Sequence, residues 1–312
     1  MKRMNWWWLL LVLWTALSCQ EDSKDEKPGD GPGTTDGDSD GDADGDGDSD
    51  GDTDSTPVSV GNEDLCNGID DDGNGIIDDV DKGKDGICDC LNIATVGIPG
   101  TWGEGNIFAE WLASRSSMEI IALRDAVLDD ATLSPFQVIV FLNVGEADDG
   151  IGRVYGDEEV AAVARWISGG GGLMTLIGYA DYREEVDNIN RILASFDVGY
   201  ASTPILQKQQ NTTVPISDWM THPTTDGISA VGVDNGYETS GGGTVIATEQ
   251  SLNVARVTTK GDGKVFVWGD EWISYDSEWE EMTEYQVERF WLNIFKWLSP
   301  EDECQVAIPP VI

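Results

Sequence analysis

The most chemically suggestive stretch of this sequence is an acidic loop that ends at Asp81. Oxygen-bearing side chains alternate along it, and Gly75 stands where the chain must turn sharply. Oxygen ligands without His or thiolate favour Ca²⁺ over transition metals. As a twelve-residue loop it offers six ligands, one of them a backbone carbonyl: Asp70, Asp72, Asn74, Ile76, Asp78 and Asp81. The spacing predicts a calcium site, whose affinity for Ca²⁺ should be lowered by Asp in place of Glu at the last position. The alternative is that this stretch is a plain acidic linker.

The start of this loop, Cys66-Asn67-Gly68-Ile69-Asp70-Asp71-Asp72, resembles the metal-binding motif of bacterial surface proteins. That family commonly has a second Cys where this chain has Gly73, so Cys66 should pair elsewhere. Cys66, Cys88, Cys90 and Cys304 allow three pairings. We favour Cys66 with Cys88 and Cys90 with Cys304, which would join the loop module to the end of the chain.

The N-terminus has the pattern of an export signal. Lys2 and Arg3 precede an apolar run over residues 6–17, which is too short to span about 30 Å of hydrocarbon. Ala16-Leu17-Ser18-Cys19 resembles a bacterial lipobox, which implies that Cys19 carries lipid and anchors the protein in a membrane. Gln20 favours the outer membrane, facing the periplasm or the cell surface. The alternative is an ordinary signal peptide cut nearby.

The charge of the chain is strongly acidic and unevenly distributed. Asp and Glu number 59 against 18 Lys and Arg, for a formal net charge of -41, which argues against nucleic acid as a partner. Every second residue from Asp36 to Asp54 is Asp. Such a segment cannot bury enough apolar surface to fold, so we expect a disordered spacer over residues 19–60.

Residues 91–299 read as a globular α/β domain. Buried strands are predicted at residues 91–96, 118–123, 137–142 and 173–177, with helices at 106–114, 158–168 and 186–194 between them. This alternation predicts an open, mostly parallel sheet flanked by helices. Further strands follow at 244–248, 253–258 and 264–268, then one long helix at 278–298. The expected organisation is a signal peptide at 1–18, the spacer, a calcium-loop module at 61–90, this domain, and a tail at 300–312.

Three segments of the domain resemble the glutamine-amidotransferase-like, flavodoxin-related fold, in particular its trehalose-utilisation-type branch. They are Gly169-Gly170-Gly171-Gly172-Leu173-Met174, His222-Pro223-Thr224-Thr225-Asp226-Gly227-Ile228 and Gly263-Lys264-Val265-Phe266-Val267-Trp268-Gly269-Asp270. The resemblance implies a Cys nucleophile at the tight turn after the central strand. This chain has Gly178-Tyr179-Ala180-Asp181 there and no Cys between Cys90 and Cys304, so we expect a domain that has lost the nucleophile. In the family the His222 segment looks structural.

Ligands of open parallel sheets bind outside the carboxyl ends of the strands. Carboxylates and aromatic rings are expected at that edge, a combination that suits a sugar, although exposed loop side chains would have the same composition. The candidate ligand-binding residues are Trp102, Glu104, Asn143, Tyr179, Asp181, His222, Asp270, Glu271 and Trp272. We expect a binding or structural role with a glycan or an envelope protein as partner. The alternative is a carbohydrate-active or amidase-like hydrolase that uses Glu104, Asp181, Asp270 or Glu271 as acid and base.

Overall fold

The computed structural model describes residues 65–97, 99, 105–114, 121–123, 125–142, 154–178, 183–204, 206 and 213–310. The chain divides into two units, residues 1–54 and 55–312, and every described residue belongs to the second. The expected signal peptide, Cys19 and the acidic spacer lie outside the described residues. Among the described residues, no helix has the length and apolar character needed to cross a bilayer.

Eight of the described strands form one sheet in the order β2-β1-β3-β4-β12-β11-β10-β7. The first five are parallel to their neighbours, and the last three are added antiparallel. This confirms the predicted mostly parallel sheet. The bounds are β1 Ile93–Val96, β2 Ile121–Ala122, β3 Val138–Phe141, β4 Gly172–Thr175, β7 Asp218–Trp219, β10 Thr244–Glu249, β11 Leu252–Lys260 and β12 Gly263–Trp268.

The parallel strands are mostly apolar because both faces of the sheet are covered. In β3, Val138 and Val140 join one hydrophobic cluster, and Ile139 and Phe141 join the other. The helices are α1 Asn106–Ser114, α2 Asp130–Leu133, α3 Asp157–Ser168, α4 Arg183–Leu193, α5 Asp276–Glu280 and α6 Val287–Leu298. Apolar residues of α1 and α6 belong to the first cluster, and those of α3 and α4 to the second.

The predicted long helix at 278–298 is wrong, because the chain forms α5 and α6 with a break between them. Tertiary hydrogen bonds hold the break open. The Gln286 amide N–H donates to the carbonyl of Ala230, and its side-chain Oε1 accepts the N–H groups of Ser229 and Ala230 at 2.9 Å each. Two small antiparallel pairs were not predicted from the sequence: β5 Val198–Pro204 with β9 Tyr237–Gly241, and β6 Val214–Ile216 with β8 Val231–Val233.

The favoured disulfide pairing is also wrong. Cys66 bonds Cys90, and Cys88 bonds Cys304. Cys88 faces the C-terminal tail because Ile77 pairs directly with the tail. The Ile77 N–H donates to the carbonyl of Asp302 at 2.8 Å, and the Cys304 N–H donates to the carbonyl of Ile77 at 3.0 Å. The module and tail are part of the folded core, since Val80, Ile87, Cys304 and Val306 belong to the first hydrophobic cluster.

Candidate functional site

A group of buried acidic side chains lies where the parallel strands end. We call it the edge carboxyl cluster, and each member is less than a tenth exposed. Asp270 and Glu271 follow β12, Glu278 belongs to α5, Asp234 follows β8, and Glu185 belongs to α4. Ionised carboxyl groups are costly to bury without compensation, so this cluster is where unusual chemistry is expected.

Asp270 lies at the centre of the cluster and is 1% exposed. Its Oδ2 accepts the backbone N–H of Asp234 at 2.8 Å, and its Oδ1 accepts the N–H of Glu271 at 2.9 Å. Burial raises the pKa of Asp270 well above its ordinary value, and the neighbouring charges of Glu271, Asp234 and Glu278 raise it further. Asp270 therefore links the turn after β8 to the end of β12, and the fold favours its neutral form.

Glu271 lies beside Gly178, which follows β4. Its Oε1 accepts the hydroxyl of Tyr275 at 2.5 Å. A Cβ added at Gly178, the last described residue after β4, would lie 2.5 Å from that same Oε1. The Gly178 N–H donates to Glu185 at 3.2 Å. Two acidic side chains thus pack against Gly178, and the glycine is required by the close approach of Glu271.

Glu278 is hydrogen-bonded by a backbone donor and a side-chain donor. Its Oε1 accepts the N–H of Gly232 at 2.8 Å, and the indole of Trp272 donates a weaker hydrogen bond to its carboxyl group. Burial raises the pKa of Glu278 to about 7, although the Gly232 amide and the indole of Trp272 both lower it. At neutral pH this carboxyl group is therefore poised between its acid and its carboxylate.

Of the nine predicted ligand-binding residues, the structure brings together Asp270, Glu271 and Trp272. His222 lies elsewhere: its ring is 5.1 Å from that of Trp297, which is 6.0 Å from the Lys264 amine. Lys264 is at the start of β12, about 20 Å along the strand direction from Asp270. The remaining five lie outside the described residues, namely Trp102, Glu104, Asn143, Tyr179 and Asp181.

His222 acts as a cap in the structure. Its Nδ1 accepts the N–H of Thr224 at 3.2 Å at the start of a short turn of 3₁₀ helix, Pro223–Thr225. Burial lowers the pKa of His222, so the neutral ring is favoured. The prediction that His222 belongs with the ligand-binding residues of the sheet edge is corrected, because this turn and not a strand end sets the position of His222.

The predicted calcium loop turns around Asp70. The Asp70 carboxylate accepts the N–H groups of Gly73, Asn74 and Gly75 at 2.6, 3.1 and 2.8 Å, and Gly75 has φ +93° at the expected sharp turn. Asp78 instead accepts the N–H groups of Asn67 and Gly68, and Asp81 those of Asp85 and Gly86. Across the described part of the chain, no group of three or more His, Cys, Asp or Glu side chains is arranged to hold a metal ion.

A groove of about 880 Å³ lies at the opposite, amino end of the parallel strands. Its lining includes Gln137, Trp166 and Lys264. The Lys264 amine donates to the carbonyl of Ser299 at 3.1 Å, and the Gln137 side chain donates to Glu303 at 3.0 Å. These polar groups are already engaged with the chain, so the groove is a weaker candidate than the carboxyl edge.

Sequence reasoning missed Glu185, Asp234, Tyr275 and Glu278. Only Glu185 could have been predicted from the sequence. It precedes Val186 on α4 and shares a helical face with Ile189, which is fully buried. Tyr200 was also not predicted. Its buried hydroxyl lies 2.9 Å from the carbonyl oxygens of both Thr175 and Trp268, and so it links β4 to β12. Burial raises the pKa of this phenol, so it stays neutral.

No family model matches the chain, and no curated protein matches it. A cytoplasmic protein from Salmonella typhimurium LT2 has 13% identity and a TM-score of 0.53, covering 67% of this chain and 100% of its own. The N-terminal domain of mmIFT52 has 14% identity and a TM-score of 0.53, covering 68% and 99%. A ThuA-like protein from Bacteroides uniformis ATCC 8492 has 13% identity and a TM-score of only 0.41, covering 68% and 91%. At these identities the first two likenesses show the fold alone.

Proposed function

We propose that this protein is an exported cell-envelope lipoprotein, held at the outer membrane by lipid on Cys19, whose α/β domain binds a partner rather than catalysing thiol chemistry. The observation that carries the proposal is the use of the cysteines. Cys66, Cys88, Cys90 and Cys304 are all consumed in two disulfides. Disulfides form and persist in oxidising compartments outside the cytoplasm. The fifth cysteine, Cys19, ends the segment that resembles a lipobox.

The same cysteine use argues against amidotransferase-type catalysis. That chemistry needs a free thiol after the central strand, and a disulfide sulfur is not a nucleophile. At the corresponding turn, Glu271 packs against Gly178 instead. A relative of the trehalose-utilisation-type branch that has kept the sheet and lost the nucleophile accounts for both features. Its partner in this proposal is a glycan or an envelope protein.

Metabolic labelling with an alkyne fatty acid tests the anchor. Wild type should take up label and fractionate with membranes, and Cys19→Ala should lose both properties because the acyl acceptor is gone. The paired variant Cys66→Ala/Cys90→Ala serves as the control and should stay labelled. Label retained in Cys19→Ala would overturn the lipoprotein assignment.

We also propose that the module binds Ca²⁺ through the loop from Asp70 to Asp81. Support comes from the donor chemistry, which is all oxygen, and from the turn of the chain around the Asp70 carboxylate. The residues that would hold the ion are Asp70, Asp72, Asn74, Ile76, Asp78 and Asp81. A bound cation would offset part of the formal charge of -41.

Calorimetric titration of the mature chain with CaCl₂ tests this site, with MgCl₂ as a comparison. Asp70→Asn/Asp72→Asn should abolish the Ca²⁺ heat, whereas Asp125→Asn, an exposed Asp outside the module, should leave it unchanged. Absence of binding at millimolar Ca²⁺ would remove calcium from the proposed function.

A second candidate function is hydrolysis of a glycoside or amide. The observation that favours it is the pair of carboxyl groups with raised pKa values, Asp270 and Glu278, at the sheet edge. Assays with nitrophenyl glycosides and nitroanilides between about pH 5 and pH 8 would detect such activity. Turnover that is lost in Asp270→Asn and retained in Glu280→Gln, an exposed position on α5, would favour the hydrolase over the binding role.

A further inference from the structure

The two disulfides differ in their exposure to solvent. Cys66 is exposed, whereas its partner Cys90 is 6% exposed, and we call this disulfide the exposed link. Cys88 and Cys304 are each 2% exposed and form the buried link. Thiol–disulfide exchange requires a thiolate to contact a disulfide sulfur, so access decides which link reacts. A thiolate in solution can reach the exposed link from the side of Cys66, and the buried link only after the core opens.

Exposed apolar side chains flank Cys66 on both sides. Leu65 is 61% exposed and Ile69 is 59% exposed. In the described part of the chain five large apolar side chains are exposed, and these two lie within three positions of Cys66. Single exposed apolar residues are ordinary, but an apolar pair around a reactive group gives a protein partner contact area at that group. The surroundings of Cys66 therefore suit a partner whose own thiol lies in an apolar face.

Opening the exposed link would release a short segment and leave the rest of the module in place. Apart from the link, residues 65–69 are held by the N–H groups of Asn67 and Gly68, which donate to the Asp78 carboxylate at 2.9 Å each. Val80 and Ile87 stay in the first hydrophobic cluster, to which the buried link also belongs. The exposed link closes only 24 residues, against 216 for the buried link, so its loss releases less chain entropy.

We propose that the exposed link is an exchange site for a dithiol protein, a thiol–disulfide oxidoreductase with an apolar face, and that attack falls on the sulfur of Cys66. The partner's thiolate bonds that sulfur as its bond to Cys90 breaks. The electron pair leaves on the Cys90 sulfur, which takes up a proton. The partner's second thiol then loses its proton and attacks the mixed disulfide, and the Cys66 sulfur leaves and is protonated. Two electrons have passed to the link, and the partner is left as a disulfide.

Graded reduction of the mature chain tests the proposal, after any free thiol has been alkylated. Dithiothreitol or reduced thioredoxin is added, new thiols are alkylated at intervals, and mass spectrometry of the peptides gives a rate for each cysteine. The exposed link should open about tenfold or more faster than the buried link. In concentrated urea the two rates should converge, because the fold sets the difference. After selective reduction, the amide hydrogens of Asn67 and Gly68 should exchange faster with solvent.

A trapping experiment and two variants locate the attack. Thioredoxin with its resolving cysteine replaced by serine should form a mixed disulfide with Cys66. Leu65→Ser/Ile69→Ser should slow opening by thioredoxin about threefold or more and leave the rate with dithiothreitol unchanged, since a small dithiol needs no apolar contact. Val127→Ser/Val154→Ser is the matched control, because these side chains are 61% and 70% exposed elsewhere, and it should react like wild type.

Four results would overturn the inference: equal rates for the two links in the folded protein, earlier opening of the buried link, trapping on Cys90 in place of Cys66, or no effect of Leu65→Ser/Ile69→Ser on the rate with thioredoxin. Should that variant prove unfolded, the rates and the trapping on wild type still decide. The lipid anchor and the calcium loop are tested separately at Cys19 and Asp70, so either can fail without this proposal and this proposal without them.

Discussion

At the scale of single residues, burial shifts the pKa values of the buried titratable groups more than their charged neighbours do. Glu278 shows the effect clearly: desolvation raises its pKa from 4.5 to about 7. The neutral acid is the form that the fold favours. The stability that Glu278 contributes is therefore complete below pH 4.5 and is lost as the pH rises through 7.

We predict that Glu278→Gln flattens the pH dependence of stability. Wild type should lose up to about 3 kcal/mol from this group between pH 5 and pH 8, because the carboxylate becomes charged in a buried site. The variant carries no ionisable group there and should lose less. Thermal melts across this range measure the difference, with Glu280→Gln as the matched control. Parallel curves for Glu278→Gln and wild type would contradict the argument.

His222 should act in the opposite direction. Its pKa is lowered by burial, so the neutral ring is favoured and its contribution is complete above the ordinary value of 6.5 and lost as the pH falls below it. We predict that His222→Ala costs about 1 kcal/mol near pH 8 through loss of the cap on Pro223–Thr225, and less in acid. Chemical denaturation at both pH values measures this. A cost that grows in acid would be evidence against this assignment.

At the scale of elements, the apolar strands, the amphipathic helices and the strands β10 to β12 were predictable, and the strands from β5 to β9 were not. The runs in β1, β3 and β4 are apolar because helices cover both faces, and that pattern is visible in the sequence. Strands β6, β7 and β8 have two or three residues each, and β5 and β9 are mixed in polarity, so periodicity could not separate them from loops. The break between α5 and α6 depends on contacts of Gln286 with residues 229 and 230, which are distant in sequence.

The contact between α3 and β12 provides a test at this scale. A Cβ at Gly263 would lie 1.7 Å from the backbone carbonyl oxygen of Ile167, the penultimate residue of α3. We predict that Gly263→Ala lowers stability by about 3 kcal/mol or more, since two backbone segments must separate. Gly156→Ala, where the nearest atom is a side-chain oxygen at 3.8 Å, should cost far less. Similar melting temperatures for the two variants would refute the argument.

At the scale of the whole molecule, the two disulfides differ in the length of chain that they close. Cys88 and Cys304 are 216 residues apart, whereas Cys66 and Cys90 are 24 apart. The longer link joins the module to the tail that packs against it, through Ile77 and Glu303.

We therefore predict that Cys88→Ala/Cys304→Ala destabilises the protein more than Cys66→Ala/Cys90→Ala. In the chain-entropy account the long closure stabilises by about 5 kcal/mol and the short one by about 3. The buried positions of Cys88 and Cys304 add a packing loss. Urea denaturation of both paired variants measures the order. A larger loss for the Cys66 pair would show that local closure of the module matters more.

The sequence by itself determined the fold class, the concentration of charge in one segment, and the absence of a Cys between Cys90 and Cys304. Composition and hydrophobic periodicity are properties of a single stretch of chain and do not depend on its tertiary contacts. Only the tertiary structure decided the disulfide pairing, the break before α6 and the membership of the edge carboxyl cluster. Asp234, Asp270 and Glu278 stand 36 and 8 residues apart along the chain, and the pKa values of Asp270 and Glu278 depend on burial and neighbours that the packed sheet assembles.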